Sequence, residues 1–423
     1  MQKFLEKLIL IFKDKTLRKR IFFVALFLVL FRLGAAIPIP GVDATKLAGF
    51  LSGNQFFGLL NIFSGGGLSN LSIMMLGVGP YITGSIILQL LTMIFPALKK
   101  MYHEEGEAGK KKFAQYSRML TVPLAMIQGF GLLTILRREG ILADVTVYHQ
   151  VLDVLVVTAG SVLLMWIGEL MTEYGIGNGV SLIIFAGIVS RIPTDISRLF
   201  YTFDISQIPL YLAFLAVAVI IIGGVVVITE AERPIPITYA KRIRGMKVYG
   251  GTSTYLPLRV NQAGVMPIIF ALSILLFPQL IASILNSFGG SIAQTIAGFF
   301  TYIVSNQIVY GASYFILVVL FTYFYTAVTF DPEQISNNLQ KGGAFIPGVR
   351  PGKSTAEYLS NILVRLTLFG ALFLGIIAIL PLIMQSATGN SNLAIGGTSL
   401  LIVVSVVIEL LRQLDAQISM REY

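Results

Sequence analysis

The sequence predicts an all-α integral membrane protein of about ten transmembrane helices. Three observations carry that prediction. The 423 residues are 55% hydrophobic and only 12% charged, with a mean hydropathy of +0.81, about half the charge of a soluble domain. The apolar residues gather into long uncharged runs instead of spreading at amphipathic spacing. These runs recur along the whole chain and leave no polar stretch long enough for an independent core, so residues 1–423 read as a single membrane domain.

The first run, Ile21 to Ala36, follows the basic amphipathic start MQKFLEKLILIFKDKTLRKR. It reads as a mature helix and not a signal peptide, because it continues into Pro38-Ile39-Pro40-Gly41 with no small-residue cleavage site and similar runs follow it. Those runs lie near Ser72 to Phe95, Met119 to Leu136, Val151 to Met171, Val180 to Ile192, Pro209 to Thr229, Gly264 to Asn286, Asn306 to Phe330, Tyr358 to Met384 and Ala394 to Leu411. Most exceed the roughly 20 residues that cross about 30 Å of hydrocarbon. The Val180 run is short and follows Gly175, Gly177 and Gly179. It is expected either to extend N-terminally or to pack against neighbouring helices instead of lipid.

Lysine and arginine set the orientation, since cytoplasmic loops hold the excess. With the N-terminus inside, 24 of the 31 basic residues fall on the inner side. Only Lys46, Arg137, Arg138, Arg191 and Arg198 fall outside, and Arg32 and Arg365 lie within spans. An even number of spans returns the C-terminus to the cytoplasm.

Composition also excludes chemistry. The chain has no cysteine, hence no disulfide framework, thiolate ligand or thiol nucleophile. His103 and His149 fall between runs and read as loop residues, against a buried histidine base or a multi-histidine metal site. Arg32, Asp153, Glu169, Arg365 and Glu409 sit near run ends and are read as snorkelling. None of the constellations of serine, aspartyl or metal intramembrane proteases is available, and there is no Gly-x-x-x-x-Gly-Lys-Ser/Thr loop. The chain reads as no enzyme and needs no cofactor or metal. Energy for transport must come from a partner or a gradient.

Two inner loops are long. One, Glu230 to Val260, places Lys241, Arg242, Arg244 and Lys247 around Gly245. The other, Asp331 to Glu357, is rich in turn residues and presents Arg350 between Gly348 and Gly352. Positive tips of this kind suit RNA or an acidic protein surface, or serve as topology signals and contacts with membrane lipids. On the outer side, FFGLLNIFSGGGLSN (Phe56 to Asn70) is too short and too interrupted to span, and too apolar for an exposed loop. It is expected to fold back into the protein. A re-entrant selectivity loop would have that shape, but these glycines are not flanked by an ion-coordinating pattern.

Six ordered segments resemble the SecY family of central Sec translocon subunits: IPIPGVD; NIFSGGGLSNLSIMMLGVGPYITGSIILQLL; GIGNGVSLIIFAGI; ITYAKRIRGMKVYGGTSTYLPLRVNQAGVMPIIFALSILLFP; AFIPGVRPG; and GGTSLLIVVSVVIEL. The resemblance implies two pseudo-symmetric five-helix halves, residues 1–200 and 201–423, related by an inverted repeat, with a re-entrant plug helix at about 57–70. It implies a protein-conducting channel in the bacterial cytoplasmic membrane that passes secretory precursor polypeptides and releases signal peptides and membrane helices laterally.

The family's pore ring falls on Ile82, Ile86, Ile184, Ile188, Ile269 and Ile402. Ile82/Ile86 and Ile184/Ile188 are i, i+4 pairs, so each pair shares a helix face. Such spacing is ordinary in a core, and the ring rests on the resemblance. The plug falls on Asn61, Ser64, Gly65, Gly66, Gly67, Ser69 and Asn70. The lateral gate falls between the Ser72 and Gly264 helices, flanked by the Met119 and Asn306 helices, with Thr83, Gln89, Gln128 and Asn261 as its polar groups. Lys241, Arg242, Arg244, Lys247 and Arg350 match the docking site for the SecA motor ATPase or the ribosome, although Met246-Lys247 stands where many relatives carry paired arginines. SecE as clamp and SecG at the periphery complete the implied partners. Two other readings are a small-molecule transporter with an inverted repeat, which needs buried ion ligands that this chain barely supplies, and a membrane scaffold.

Overall fold

A computed structural model describes residues 14–53, 61, 64–142, 146–194, 197, 208–239, 242–244, 247–249, 251, 253–288, 291–388 and 391–419. Helix α1, Lys15–Ala35, begins where the Asp14 carboxylate accepts the Thr16 N–H at 2.7 Å. The IPIPGVD segment that follows is an extended strap. Its Ile39 N–H donates to Leu71 O at 2.9 Å, Ile37 O accepts from Ile73 N–H at 3.0 Å, and Asp43 N–H donates to Ile141 O at 3.0 Å. Asp43 also caps α2, Ala44–Gly53. The Thr45 hydroxyl bonded to its carboxylate holds that group below the usual carboxylate range.

Helix α3, Gly79–Ile94, is shorter than its apolar run. Residues Ser72 to Val78 turn, with Gly77 at φ 60°, and Pro80 in the first helical turn starts the helix late. Pro96 then opens α4, Pro96–His103, after a bend of 116°. Helices α5, Gly106–Arg138, and α6, Val147–Tyr174, form an antiparallel pair. His149 lies in the first turn of α6 and His103 ends α4, so neither is a loop residue; helices here outrun the apolar stretches that mark them. Helix α7, Gly179–Val189, does not extend N-terminally, because Gly177 at φ 86° breaks the backbone and Asn178 caps the new helix. It is packed by protein instead. A side chain at Gly179 would strike the Gly168 carbonyl of α6, so the two backbones meet as small residues allow.

Helix α8, Ile208–Glu230, leads into a cap that corrects the all-α expectation. Strands β1, Glu232–Tyr239, and β4, Ser253–Arg259, pair antiparallel from Glu232↔Arg259 to Thr238↔Ser253, and β2, Arg242–Arg244, pairs with β3, Lys247–Tyr249. Ile235, Ile237 and Leu258 alternate inward, while Pro234 and Pro236 sit where β1 has no partner on its other edge, since β5, Ala344–Phe345, reaches only Thr238 and Tyr239.

Helix α9, Met266–Phe288, is followed by α10, Ser291–Ser305, and α11, Gln307–Thr329. The second inner loop contains α12, Pro332–Lys341, capped by Asp331, whose Ser336 hydroxyl donates to Gly352 O at 2.6 Å. Helices α13, Lys353–Thr388, and α14, Ser391–Ser419, complete the chain.

Every apolar run read from the sequence therefore overlaps a helix. By length and composition, 4 described helices can cross a membrane, or up to 5 if the bent α3–α4 pair is one span. The largest core draws side chains from α1, α3, α6, α7, α8, α9, α11, α13 and α14. A second one joins the strap to α5 and α6, and a third sits beneath the sheet.

Candidate functional site

Ile82 and Ile86 on α3, Ile184 and Ile188 on α7, Ile269 on α9 and Ile402 on α14 are all between 0% and 6% exposed and lie in the same core. That core mixes helices from both ends of the chain. It holds branched side chains and aromatics, with no ion pair among its members.

Next to it, residues Ser64 to Asn70 form consecutive turns. These seven residues are not helical, because Gly65 at φ 64° and Gly66 at φ 86° leave the right-handed region, so a helix expected at about 57–70 does not run through 64–70; Asn61 is helical. Phe57 to Leu60, Ile62 and Phe63 lie outside the described residues. Asn61 knits the turns together. Its backbone carbonyl accepts from Gly66 N–H at 2.9 Å and from the Ser64 hydroxyl at 3.0 Å, its side-chain oxygen accepts from Ser69 N–H at 3.0 Å, and its amide donates to the Ser69 hydroxyl. The Ser64 hydroxyl oxygen accepts from Leu68 N–H at 3.0 Å. Gly67 O takes Ser72 N–H at 2.9 Å, which ties the turns to the start of the α3 segment, and Asn70 is exposed.

Helix α9 packs against α3, α5 and α11. Thr83 and Gln89 lie on α3, Gln128 on α5 and Asn261 shortly before α9, and each buries a polar atom with no hydrogen-bond partner among the described residues: Thr83 Oγ1, Gln89 Oε1, Gln128 Nε2 and Asn261 Oδ1. Asn261 satisfies only its amide, which donates to Gly264 O at 3.2 Å. A buried polar atom left unpaired costs about 1–3 kcal/mol.

Of the basic groups, Lys241 lies outside the described residues, and Arg242, Arg244 and Lys247 fall on the β2–β3 hairpin. Arg350 is exposed on a turn set by Gly348 at φ 84° and Gly352 at φ 95°, and its carbonyl accepts the Thr355 hydroxyl at 2.8 Å. Pro347 and these glycines fix the turn while α12 supports it from behind.

Two ion pairs were not anticipated. Glu169 on α6 pairs with Arg118 on α5 at 2.7 Å and accepts the Tyr81 hydroxyl of α3 at 3.4 Å. Asp153 pairs with Arg137 at 3.0 Å, with side chains only 14% and 12% exposed. The snorkelling reading of these two acids is therefore corrected: each finds a cation on the neighbouring helix. The signal was available, since the partners sit at matching ends of consecutive antiparallel runs. Among the described residues no cluster of histidine, aspartate and glutamate could hold a metal ion.

Residues 72–411 match the SecY family model. The chain is 42% identical to the protein translocase subunit SecY of Mycobacterium bovis, with 96% of each chain covered, and 43% identical to that of Corynebacterium glutamicum, with 97% of each covered. Among solved structures it resembles a SecY protein studied for its plug domain, at TM-score 0.66 and 20% identity, covering 93% of this chain and 91% of that one. It also resembles Sec61 in a canine ribosome-channel complex, at TM-score 0.59 and 18% identity, with the same coverage. The chain belongs to the SecY family.

Proposed function

We propose that this chain is a protein-conducting channel of the bacterial cytoplasmic membrane, with ten spans in two five-helix halves and both termini in the cytoplasm. Unfolded secretory polypeptides pass through it, and signal and membrane helices leave it sideways into lipid. The observation that carries the reading is the burial of the six ring isoleucines, contributed by α3, α7, α9 and α14, in one apolar core. Such a constriction excludes water and ions when empty, and its flexible side chains fit around a passing chain. The turns at 64–70, with Asn61, belong to the plug, seated beside the ring.

The gate is the seam of α9 with α3 and α5. Its unpaired polar atoms make closure weak, and a signal helix whose apolar residues each gain about 0.3–0.6 kcal/mol in lipid can part it. The β2–β3 hairpin and Arg350 form the docking surface for SecA or the ribosome; a relative in fold is known in a ribosome complex. SecE and SecG are the partner subunits that family membership supplies. The chain performs no chemistry, and SecA or the ribosome supplies the drive.

Reconstitution tests this reading. Liposomes holding the chain with SecE should take up a secretory precursor only when SecA and ATP are present. Vigorous solute uptake by the chain alone, with no precursor transport, would favour the transporter instead.

A further inference from the structure

We propose that Gly187 of α7 is the seat of the plug, a backbone-to-backbone contact that holds the channel shut without a hydrogen bond. The inference rests on the plug reading above and adds the residue on which closure depends.

Gly187 lies between the ring residues Ile184 and Ile188 on one short helix. A β-carbon built on it would fall onto the backbone of Gly65, with the Gly65 carbonyl carbon at 2.8 Å and its nitrogen at 3.2 Å. Backbone cannot swing aside as a long side chain can, so only glycine fits at 187 while the plug is in place. The other face of Gly65 is covered by the Phe31 ring of α1, whose Cε1 and Cε2 lie at 3.1 and 3.2 Å from a β-carbon built there. Gly65 is thus held between α1 and α7. Phe31 is 1% exposed, and Ser64 is fully buried.

The polar contacts complete the case. Among the described residues, the hydrogen bonds drawn for Ser64 to Asn70 all end within residues 61–72. Among the described residues, Ser64 to Asn70 are bonded to one another and to Asn61 and Ser72, and Gly65 meets α1 and α7 through the Phe31 ring and the Gly187 backbone. Leaving α7 therefore breaks no hydrogen bond drawn between Ser64–Asn70 and that helix among the described residues, and the tie from Gly67 O to Ser72 N–H serves as the tether. An alanine at 187 suits a helix better than glycine, so it disfavours only the seated state.

The test is resting ion conductance in planar bilayers, with the full chain, SecE and SecG but no motor or precursor. Gly187→Ala should raise conductance about tenfold over the unaltered channel, the shift that about 1.4 kcal/mol of overlap produces. The control Gly129→Ala, whose methyl would meet only Leu76 at 3.6 Å and Val157 at 3.8 Å, should stay silent. If Gly187→Ala is as tight as the unaltered channel while deletion of residues 61–70 leaks, the seat is wrong and the plug stands. If both are tight, the seat and the plug reading fall together. Should Gly187→Ala fail to accumulate, Phe31→Leu frees the opposite face of Gly65 and must leak; a tight Phe31→Leu channel overturns the proposal.

Discussion

Thr83, Gln89, Gln128 and Asn261 share a property that their residue types alone do not dictate, since each keeps one buried polar atom without a hydrogen-bond partner among the described residues. Because a lone buried polar atom costs about 1–3 kcal/mol while an apolar replacement of similar shape costs little, these groups lower the work of parting α9 from α3 and α5 under the gate proposed above. Gln128→Leu combined with Asn261→Leu is expected to tighten the closed gate. Export of a signal-bearing precursor into vesicles should slow by about tenfold if some 1.4 kcal/mol of that strain is removed; an unchanged or faster rate contradicts the role. At the other surface, Arg350 stands exposed on a glycine-framed turn. Arg350→Glu should abolish SecA-driven export while leaving detergent-solubilised protein monodisperse, because Arg350 is exposed. Export at the normal rate would remove Arg350 from the docking surface.

Pairs of helices are tied by charges that a span-by-span reading of the sequence treats as ends. Arg118 and Glu169 join α5 to α6, and the Tyr81 hydroxyl brings in α3, one residue before Ile82. Breaking a largely buried pair by removing one partner strands the other and costs about 3–5 kcal/mol at full burial; Arg118 is 48% exposed, so a smaller loss applies here. Glu169→Gln should lower the thermal midpoint in detergent by a few degrees, and the exchange Arg118→Glu with Glu169→Arg should recover most of it. A midpoint unmoved by Glu169→Gln would show that the pair does not tie these helices.

The helices themselves were legible, since long uncharged runs admit little else. The cap was not. Pro234, Pro236 and Pro257 argue against strands, and only the pairing of β1 with β4, open along much of the other edge of β1, accommodates them. Helix α12 did carry a legible signal in Asp331-Pro332-Glu333, obscured by the density of glycine and proline after Lys341. That the six isoleucines share one core was suggested only by family resemblance, because isoleucines four apart mark any packed helix face. The unpaired atoms of the gate depend on distances between helices that no single run encodes.

At the scale of the whole molecule, the chain combines three mechanically different parts. An apolar core spans both halves of the sequence and contains the ring. A strap is bonded to Leu71, Ile73 and Ile141, and a small sheet with α12 supports the turn that presents Arg350. In lipid the helices gain little from hydrophobic transfer and are held by packing, small-residue contacts and the few polar ties described above. Such an assembly can part along a seam without unfolding.

The central claim is that a polypeptide crosses through the isoleucine core, and a photoreactive group in place of Ile86 tests it most directly. In vesicles containing SecE and SecA, with an arrested secretory precursor, the account predicts crosslinks to the precursor that require both precursor and ATP. An absence of crosslinks in vesicles where SecA still docks would contradict it, and would mean that the translocating chain takes another path.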